Sequence, residues 1–447
     1  MPKVFIKTYG CQMNVYDSDK MADIMLSQGF ELSNDVSVSD LVILNTCHIR
    51  EKASEKIYSE LGQIKKHKNA LKKQGKQMVI AVAGCVAQAE GAEIIKRSPQ
   101  VDIVVGSQAY NRLPQMVSRA FKNEKSVELD FSVEEKFDFI PQELEKNSIA
   151  KSPVAFLTIQ EGCDKFCSFC VVPYTRGAEY SRNPNEIYKE AERLVNNGAV
   201  EISLLGQNVN AYKGLVSVDG EKKEFNLSQL IDLLAKIPNL KRIRYTTSHP
   251  VDMTQDLILA HKNQPKLMPS LHLPVQSGSN KVLKEMNRKH KREYYLDVIA
   301  DLRKACPEIM FSSDFIVGFP SETEADFADT LDLIEKVGFA QSYYFKYSAR
   351  PGTPASEMAE ISTEEKDKRL AILQKLLRGQ QEHYLKICVG KTMPVLFEKK
   401  GKYAGQVVGK NQYNQSVHAI GDENIIGQVL QTKIVNSSSN TLTGVIL

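Results

Sequence analysis

Two apolar patterns alternate along the chain from its first residues. Short runs rich in β-branched residues at 4–8, 41–45, 78–83 and 102–105 predict strands, and helical periodicities near 16–28, 50–72, 86–96 and 111–120 fall between and after them. Strict alternation of strand and helix implies crossover connections and therefore a parallel sheet. Residues 121 to about 150 are rich in Glu, Asp and Lys with weak periodicity and read as a linker. A second alternating series has strands expected at 155–160, 201–205, 242–246, 270–273, 310–317 and 341–346. Six βα repeats predict a barrel or partial barrel whose chemistry sits on the loops after the strands. After a helix at 363–385 the chain turns to short β runs at 393–398, 404–408, 416–419, 425–434 and 441–446, punctuated by Gly and Asn, which predict a small all-β barrel or sandwich. The expected organisation is thus an α/β protein: an N-terminal βα parallel-sheet domain (1–120), a linker (121–150), a partial (β/α)6 barrel (151–382) and an all-β module (383–447).

Composition changes this picture little. The 447 residues are 42% hydrophobic and 25% charged, with 25 Gly and 17 Pro, which excludes collagenous and largely disordered chains. No apolar run approaches a membrane span, and residues 1–10 lack the pattern of a secretory signal, so a cytoplasmic protein without a membrane partner is expected. The net charge of +4 is too small for the whole molecule to act as a polycation. Nucleic-acid binding would need local patches. Lys65, Lys66, Lys68, Lys72, Lys73 and Lys76 form one candidate, and Lys281, Lys284, Arg288, Lys289, Lys291 and Arg292 another; each also reads as a solvated helix face.

The eight cysteines change the picture more. In a reducing compartment they point to metal or redox chemistry rather than disulfides. The string Gly162-Cys163-Asp164-Lys165-Phe166-Cys167-Ser168-Phe169-Cys170 is C-x3-C-x2-C on the loop leaving the first barrel strand. Three thiolates can hold a four-iron cluster with one iron left open. An open iron can take the amino and carboxylate groups of S-adenosylmethionine and pass an electron to its sulfonium, giving a 5′-deoxyadenosyl radical. Phe169 is placed to pack beside the cluster or the adenine. The competing reading is a zinc site completed by a remote His or Cys, although structural zinc usually shows paired C-x2-C knuckles. Cys11, Cys47 and Cys85 each fall just past one of the first three strands. The carboxyl ends of parallel strands share an edge, so these three can converge, whereas each taken singly could be a buried thiol. Cys306 and Cys388 have no such company and read as buried thiols.

On either side of the cysteine loop the sequence resembles the radical S-adenosylmethionine methylthiotransferases. The likeness rests on Gly162 to Cys170 running on through Val171-Val172-Pro173-Tyr174-Thr175-Arg176-Gly177, on Tyr9-Gly10-Cys11-Gln12-Met13-Asn14, on Asn45-Thr46-Cys47 followed by Ile49-Arg50-Glu51-Lys52-Ala53, and on Gly84-Cys85. It covers nearly the whole chain, is greatest to the branch making 2-methylthio-N6-isopentenyladenosine in tRNA, and includes a C-terminal segment similar to the TRAM module, an RNA-binding β-barrel.

The resemblance implies two 4Fe-4S clusters, one on Cys163, Cys167 and Cys170 and an auxiliary one on Cys11, Cys47 and Cys85. It also implies S-adenosylmethionine contacts at Gly206, Gln207 and Asn208, at Ser248, and at Asp314 and Gly318 in the adenine-binding strand segment. The double-Gly-Glu spelling common elsewhere in the superfamily is absent after the second barrel strand, which bears on Gln207. His249 and His272 stay off the metal list, since a lone His near a strand end is at least as often a hydrogen-bonded structural residue. The implied chemistry is methylation of a sulfur on the auxiliary cluster by one S-adenosylmethionine, then reductive cleavage of a second, hydrogen removal from C2 of the adenine and attack of that carbon on the methylated sulfur. A tRNA substrate, a low-potential electron donor such as flavodoxin or ferredoxin, and a monomeric protein are the partners and state expected. The rivals are the same chemistry on threonylcarbamoyladenosine or on a ribosomal-protein aspartate and, in another class, a non-catalytic RNA-binding iron–sulfur protein.

Overall fold

A computed structural model describes residues 1–47, 51–131, 152–218 and 221–447. The expected linker beyond residue 131, and Ile49 and Arg50 with the side chains of Glu51, Lys52 and Ala53, lie outside the described residues. The chain divides into two compact units: one comprises Met1–Ala150, Glu161–Asp164 and Val171–Tyr180, the other Lys151–Gln160, Lys165–Cys170 and Ser181–Leu447.

The first unit is built on a six-stranded sheet in the order Glu31–Leu32, Lys3–Tyr9, Leu41–Thr46, Val79–Gly84, Ile103–Val105, Ser126–Glu128, with every pair parallel. Leu41–Thr46 and Val79–Gly84 are buried at every position, as central parallel strands covered on both faces must be. Val4, Leu41, Ile43 and Val79 pack against Met21 and Met25 of the helix Gln12–Ser27 and Leu113 and Val117 of the helix Leu113–Ala120. Val42, Leu44, Ile80 and Val82 face the other way, onto Ile57, Leu61 and Ile64 of the helix Glu51–Lys73. The pattern missed both edge strands, because two or three polar-flanked residues carry no periodicity; Ser126–Glu128 is a sheet strand inside the segment read as linker. The helix expected at 86–96 is broken by Gly91 at φ +52 into Cys85–Glu90 and Glu93–Arg97.

In the second unit all six expected strands are present, in two parallel sheets. Arg242–Tyr245, Glu201–Leu205 and Val154–Thr158 form one; Ser270–His272, Met310–Val317 and Gln341–Lys346 form the other, with a parallel bridge from Ile243 to Leu267 beside the first. Ile202, Leu204, Ile243, Leu271, Phe311 and Phe315 pack outward into one core with the connecting helices. A hairpin of Lys213–Val218 and Glu221–Asn226, absent from the sequence expectation, is inserted after the second strand.

The C-terminal strands Thr392–Lys400, Gln406–Asn411, Ser416–Ile420, Val429–Ser437 and Leu442–Ile446 close into a barrel. It is not a loosely tethered bead. Met310 and Ala340, at the starts of the last two α/β strands, share a core with Met393, Val395 and Phe397. Arg242 donates to the carbonyls of Pro394 and Lys410, at 2.8 and 2.9 Å, and Arg244 to those of Asn411 and Gln412, at 2.9 and 3.0 Å. Arg244 also bonds Glu201 at 2.9 Å, so the barrel's polar floor and the β-module satisfy each other's buried groups. Along Lys281–Arg292 the expected basic patch thins: Arg288 is buried, Lys281 pairs with Asp326 and Arg292 with Asp329 and Asp332, leaving Lys284, Lys289 and Lys291 exposed.

One buried pair gives the second unit a pH dependence. His261 Nε2 lies 2.7 Å from the Tyr245 hydroxyl, and burial pulls its pKa down to about 4 from 6.5. Because the unfolded chain takes up this proton first, stability is complete above pH 6.5 and is lost as pH falls toward 4, by up to ~3 kcal/mol. Denaturant titrations from pH 7 to 4 should show this slope, and H261Q should make it shallower by this pair's share, leaving the shares of His249 and His290, which burial also holds neutral.

Candidate functional site

The register of the first sheet aligns Tyr9 with Thr46 and Thr46 with Gly84. Cys47 and Cys85 are the next residues of their strands, and Cys11 follows Tyr9 by two. The extra residue, Gly10, sits at φ +123, and a Cβ there would fall 2.2 Å from the Cβ of Cys47, so only glycine lets the loop close over that cysteine. Asn14 and Asn45 lock the arrangement: the Asn14 amide donates to Asn45 Oδ1 at 3.0 Å, Asn45 returns a bond to the Asn14 carbonyl at 2.8 Å, and the Cys11 thiol donates to Asn14 Oδ1 at 3.2 Å. A Cβ on Gly84 would meet Asn45 Oδ1 at 2.3 Å, so the Gly-Cys spelling also serves the close approach.

Arg176, from the helix Val172–Arg176, joins these thiols within the same unit. It is 2% exposed, pairs with Asp17 at 2.7 Å and Glu161 at 3.2 Å, and is held well above its usual pKa by Asp17, Cys85 and Glu161 despite its burial. A hydrogen bond with Cys47 and the charge of Arg176 draw the Cys11 thiol down to about 6, against burial. Burial pushes Cys85 up, with Arg176 opposing. Ser107 and Gln108 donate to the carbonyls of Thr175 and Arg176 and fix the segment.

The Cys163–Cys170 loop passes from one unit to the other. Gly162, at φ +74, leaves no room for a Cβ, which would meet the Ala178 carbonyl at 1.9 Å, and Cys163 N donates to the Gly177 carbonyl at 3.3 Å. On the second unit's part, Phe166 takes a left-handed turn at φ +49, stabilised by Asn287 Nδ2 on its carbonyl at 2.7 Å. Ser168 bonds the Met286 and Glu285 carbonyls, and Arg288 donates to Cys167 Sγ at 3.5 Å and to the Pro274 carbonyl. The segment 285–288 thus clamps the cysteine loop.

The expected cofactor contacts fall into two groups. Gly206 follows the strand Glu201–Leu205 directly, and the amides of Gln207 and Asn208 both donate to Gln160 Oε1, at 2.8 and 3.0 Å. Asn208 Nδ2 bonds Asp252 at 2.8 Å, which pairs with Lys165 at 2.7 Å, while Asn210 bonds His249. Ser248 Oγ, Asn208 Oδ1, His249 Nε2 and Arg288 Nε are buried without a partner among the described residues. Burial, with the charges of Arg288 and Lys165, holds His249 neutral. Asp314 and Gly318 are not part of this set. Asp314 lies 3.5 Å from His272 Nε2, and the Gly318 amide, at φ +68, is taken by Glu322 at 2.7 Å, so Gly318 serves the turn. Sequence reading missed Arg176, Arg288, Gln160 and the Lys165–Asp252 pair; Arg176 and Arg288 each stand within a motif or patch that was read for another role. Cys306 and Cys388 are buried thiols with raised pKa, as expected.

Among the described residues no three Cys, His, Asp or Glu side chains stand in a ready metal-holding arrangement. The fit of a cluster to Cys11, Cys47 and Cys85 rests instead on donor chemistry: soft thiols, one of them acidified, in a cradle that Gly10 keeps clear. At Cys167 the corresponding observation is the orphaned buried Nε of Arg288, whose other nitrogen donates to the thiol sulfur.

Arg176 offers a direct check. R176M should take the buried cation away from the buried carboxylates Asp17 and Glu161 and lower the stability of the first unit by ~3–5 kcal/mol in denaturant unfolding of the iron-free protein.

Three family profiles match the chain: "Uncharacterized protein family UPF0004" over residues 3–106, "Radical SAM superfamily" over 157–334 and "TRAM domain" over 386–447. Among solved structures, the radical S-adenosylmethionine methyltransferase TsrM from Kitasatospora setae aligns with a TM-score of 0.55 at 11% identity, covering 80% of this chain and 75% of that one, a likeness of fold. The tRNA-2-methylthio-N(6)-dimethylallyladenosine synthase of Rickettsia bellii (strain RML369-C) is 56% identical over 446 residues, 99% of this chain and 98% of that protein. The synthase of the same name from Rickettsia rickettsii (strain Sheila Smith) is 56% identical over 449 residues, covering 100% and 99%. With its cysteine-bearing parallel sheet, half-open α/β barrel and closed β-module matched end to end, the chain belongs to the tRNA-2-methylthio-N(6)-dimethylallyladenosine synthase family.

Proposed function

We propose that this chain is a radical S-adenosylmethionine methylthiotransferase that converts N6-dimethylallyladenosine, the isopentenylated adenosine just 3′ of the tRNA anticodon, to its 2-methylthio derivative. The observation that carries this reading is end-to-end identity of 56% to relatives of that name, with the motif residues Gly10, Asn14, Asn45, Gly84 and Arg176 set around the first unit's cysteines. The same chemistry on threonylcarbamoyladenosine or a ribosomal protein, and a merely structural pair of clusters, are not favoured.

In this reading Cys163, Cys167 and Cys170 hold one 4Fe-4S cluster and Cys11, Cys47 and Cys85 a second. When bound, the first supplies one-electron cleavage of S-adenosylmethionine, giving a radical able to take hydrogen from an aromatic C–H that acid–base chemistry cannot touch. The protein's own part is placement. Arg288 and the 285–288 clamp fix Cys167, and Arg176 offsets negative charge beside Cys11 and Cys85. Gly206, Gln207, Asn208 and Ser248 line the cofactor's amino-acid end, where Asn208 and Ser248 have acceptor and hydroxyl groups to spare. Asp314 addresses the adenosine, and Gly318 shapes the turn behind it. The β-module, with seven lysines against three acidic residues over 386–447, grips the tRNA backbone through exposed lysines such as Lys399, Lys402 and Lys433. A low-potential donor such as flavodoxin or ferredoxin, a monomeric state, a cytoplasmic location and functional divisions at 1–120, 121–150, 151–382 and 383–447 complete the proposal. No helix among the described residues is long and apolar enough to cross a membrane.

Anaerobic reconstitution separates the two sites. The wild-type chain should take up about eight irons. Replacing Cys163, Cys167 and Cys170 by Ala should remove about half the iron and all deoxyadenosine formation, while the same change at Cys11, Cys47 and Cys85 should leave deoxyadenosine formation and stop methylthio transfer. Intact cleavage after the first replacement would overturn the assignment.

A further inference from the structure

The turn joining the first two strands of the β-module, Thr392–Lys400 and Gln406–Asn411, carries an aromatic ring into solvent on a braced backbone. Tyr403 is 68% exposed, more than any other Phe or Tyr among the described residues. The barrel's core is built without it, from Met393, Val395, Phe397, Val407, Val417 and Ile434. The backbone beneath the ring is nonetheless fixed. Gly401 N donates to the Gln406 carbonyl at 2.6 Å, Lys402 N to Gln406 Oε1 at 3.1 Å, and Gln406 N to the Tyr403 carbonyl at 3.1 Å. Gly421 N, just past the strand Ser416–Ile420, bonds the Gly405 carbonyl at 3.0 Å, so the turn is also tied to the next strand of the barrel.

Two further features share this end of the barrel. Ile420 stands opposite Gln406 in the ladder and is 78% exposed, a second apolar side chain outside the core. Lysines flank the ring on both sides in sequence, and the Lys402 Nζ lies 5.9 Å from the centre of the Tyr403 ring. Lys400 is taken by Glu423 at 2.6 Å, whereas Lys399 and Lys402 are exposed and form no ion pair among the described residues. A rigid turn holding apolar surface in water adds little to the barrel, but it spares a ligand the cost of ordering the side of the contact it meets.

We propose that Tyr403 and Ile420 form a stacking platform for an unpaired base of the tRNA substrate, with Lys399 and Lys402 on the phosphates beside that base. The inference rests on the function proposed above and adds a base contact to the backbone grip. A folded RNA offers the flat face of a base only where pairing is interrupted, and aromatic side chains take such bases by stacking. Lysines alone would hold a duplex and a loop alike, since both present phosphates. A ring that stands clear of the barrel distinguishes the two. Ile420 extends the apolar surface on which the base lies, and the paired lysine cations draw the strand to it.

The test is binding of the full-length protein to a dimethylallyl-modified anticodon stem-loop RNA, and to the same stem as a duplex without unpaired bases, read by fluorescence anisotropy across a salt series. Y403A should weaken stem-loop binding about tenfold while leaving duplex binding and the salt slope unchanged, and Y403F should bind as wild type does. The double change K399A and K402A should instead flatten the salt slope for both RNAs. 2-Aminopurine placed in turn at each unpaired position should report stacking at one position with wild type that is lost with Y403A. Stem-loop binding by Y403A equal to that of wild type would overturn the platform and leave the functional reading standing. An equal loss on the duplex would overturn it too, since Tyr403 would then be serving the shape of the turn. A reconstituted wild-type protein unable to convert dimethylallyladenosine in tRNA would overturn the functional reading, and the platform with it.

Discussion

Parallel pairing of Lys3–Tyr9, Leu41–Thr46 and Val79–Gly84 is the constraint on which the first unit's chemistry depends. Once Tyr9, Thr46 and Gly84 are hydrogen-bonded into one row, the residues that follow must leave the sheet at the same edge. Three cysteines separated by 36 and 38 positions become neighbours through that row. The motif residues around them then have physical duties. Gly10 gives up a Cβ to Cys47, Gly84 gives one up to Asn45, and Asn14 and Asn45 hold each other and the Cys11 thiol.

Buried arginines do comparable service elsewhere, and each is satisfied by groups far away in sequence. Arg176 meets Asp17 across 159 positions, and Arg288 reaches Cys167 across 121. Arg242 and Arg244 hold carbonyls of the β-module across about 150 to 170 positions, an order-of-magnitude mark of non-local order. A buried charge of this kind is costly to leave unpaired, so such contacts favour one arrangement of the loops they join. They also make the C-terminal barrel part of the second unit's structure.

This explains what could be read in the sequence and what could not. The core strands of both α/β sheets were visible, because continuous apolar runs such as Leu41–Thr46 and alternating ones such as Met310–Val317 each carry a period. The six cysteines were visible from their spacing and their places at strand ends. The hairpin was overlooked although Asp219-Gly220 marks a turn in the sequence; its second strand, Glu221–Asn226, is rich in Lys and Glu and looks like loop. Arg288 was grouped with surface lysines because its neighbours are basic, and only the fold shows that its side chain goes inward. That the Gly318 amide donates to Glu322 is likewise a fact of the fold, not of the motif.

The central claim is that this chain adds a methylthio group to dimethylallyladenosine in tRNA. Mass spectrometry of tRNA nucleosides from cells with and without the gene tests it most directly. The account predicts that 2-methylthio-N6-dimethylallyladenosine disappears when the gene is removed and that its unthiolated precursor accumulates in its place. An unchanged nucleoside profile, or loss confined to the threonylcarbamoyl derivative, would contradict it.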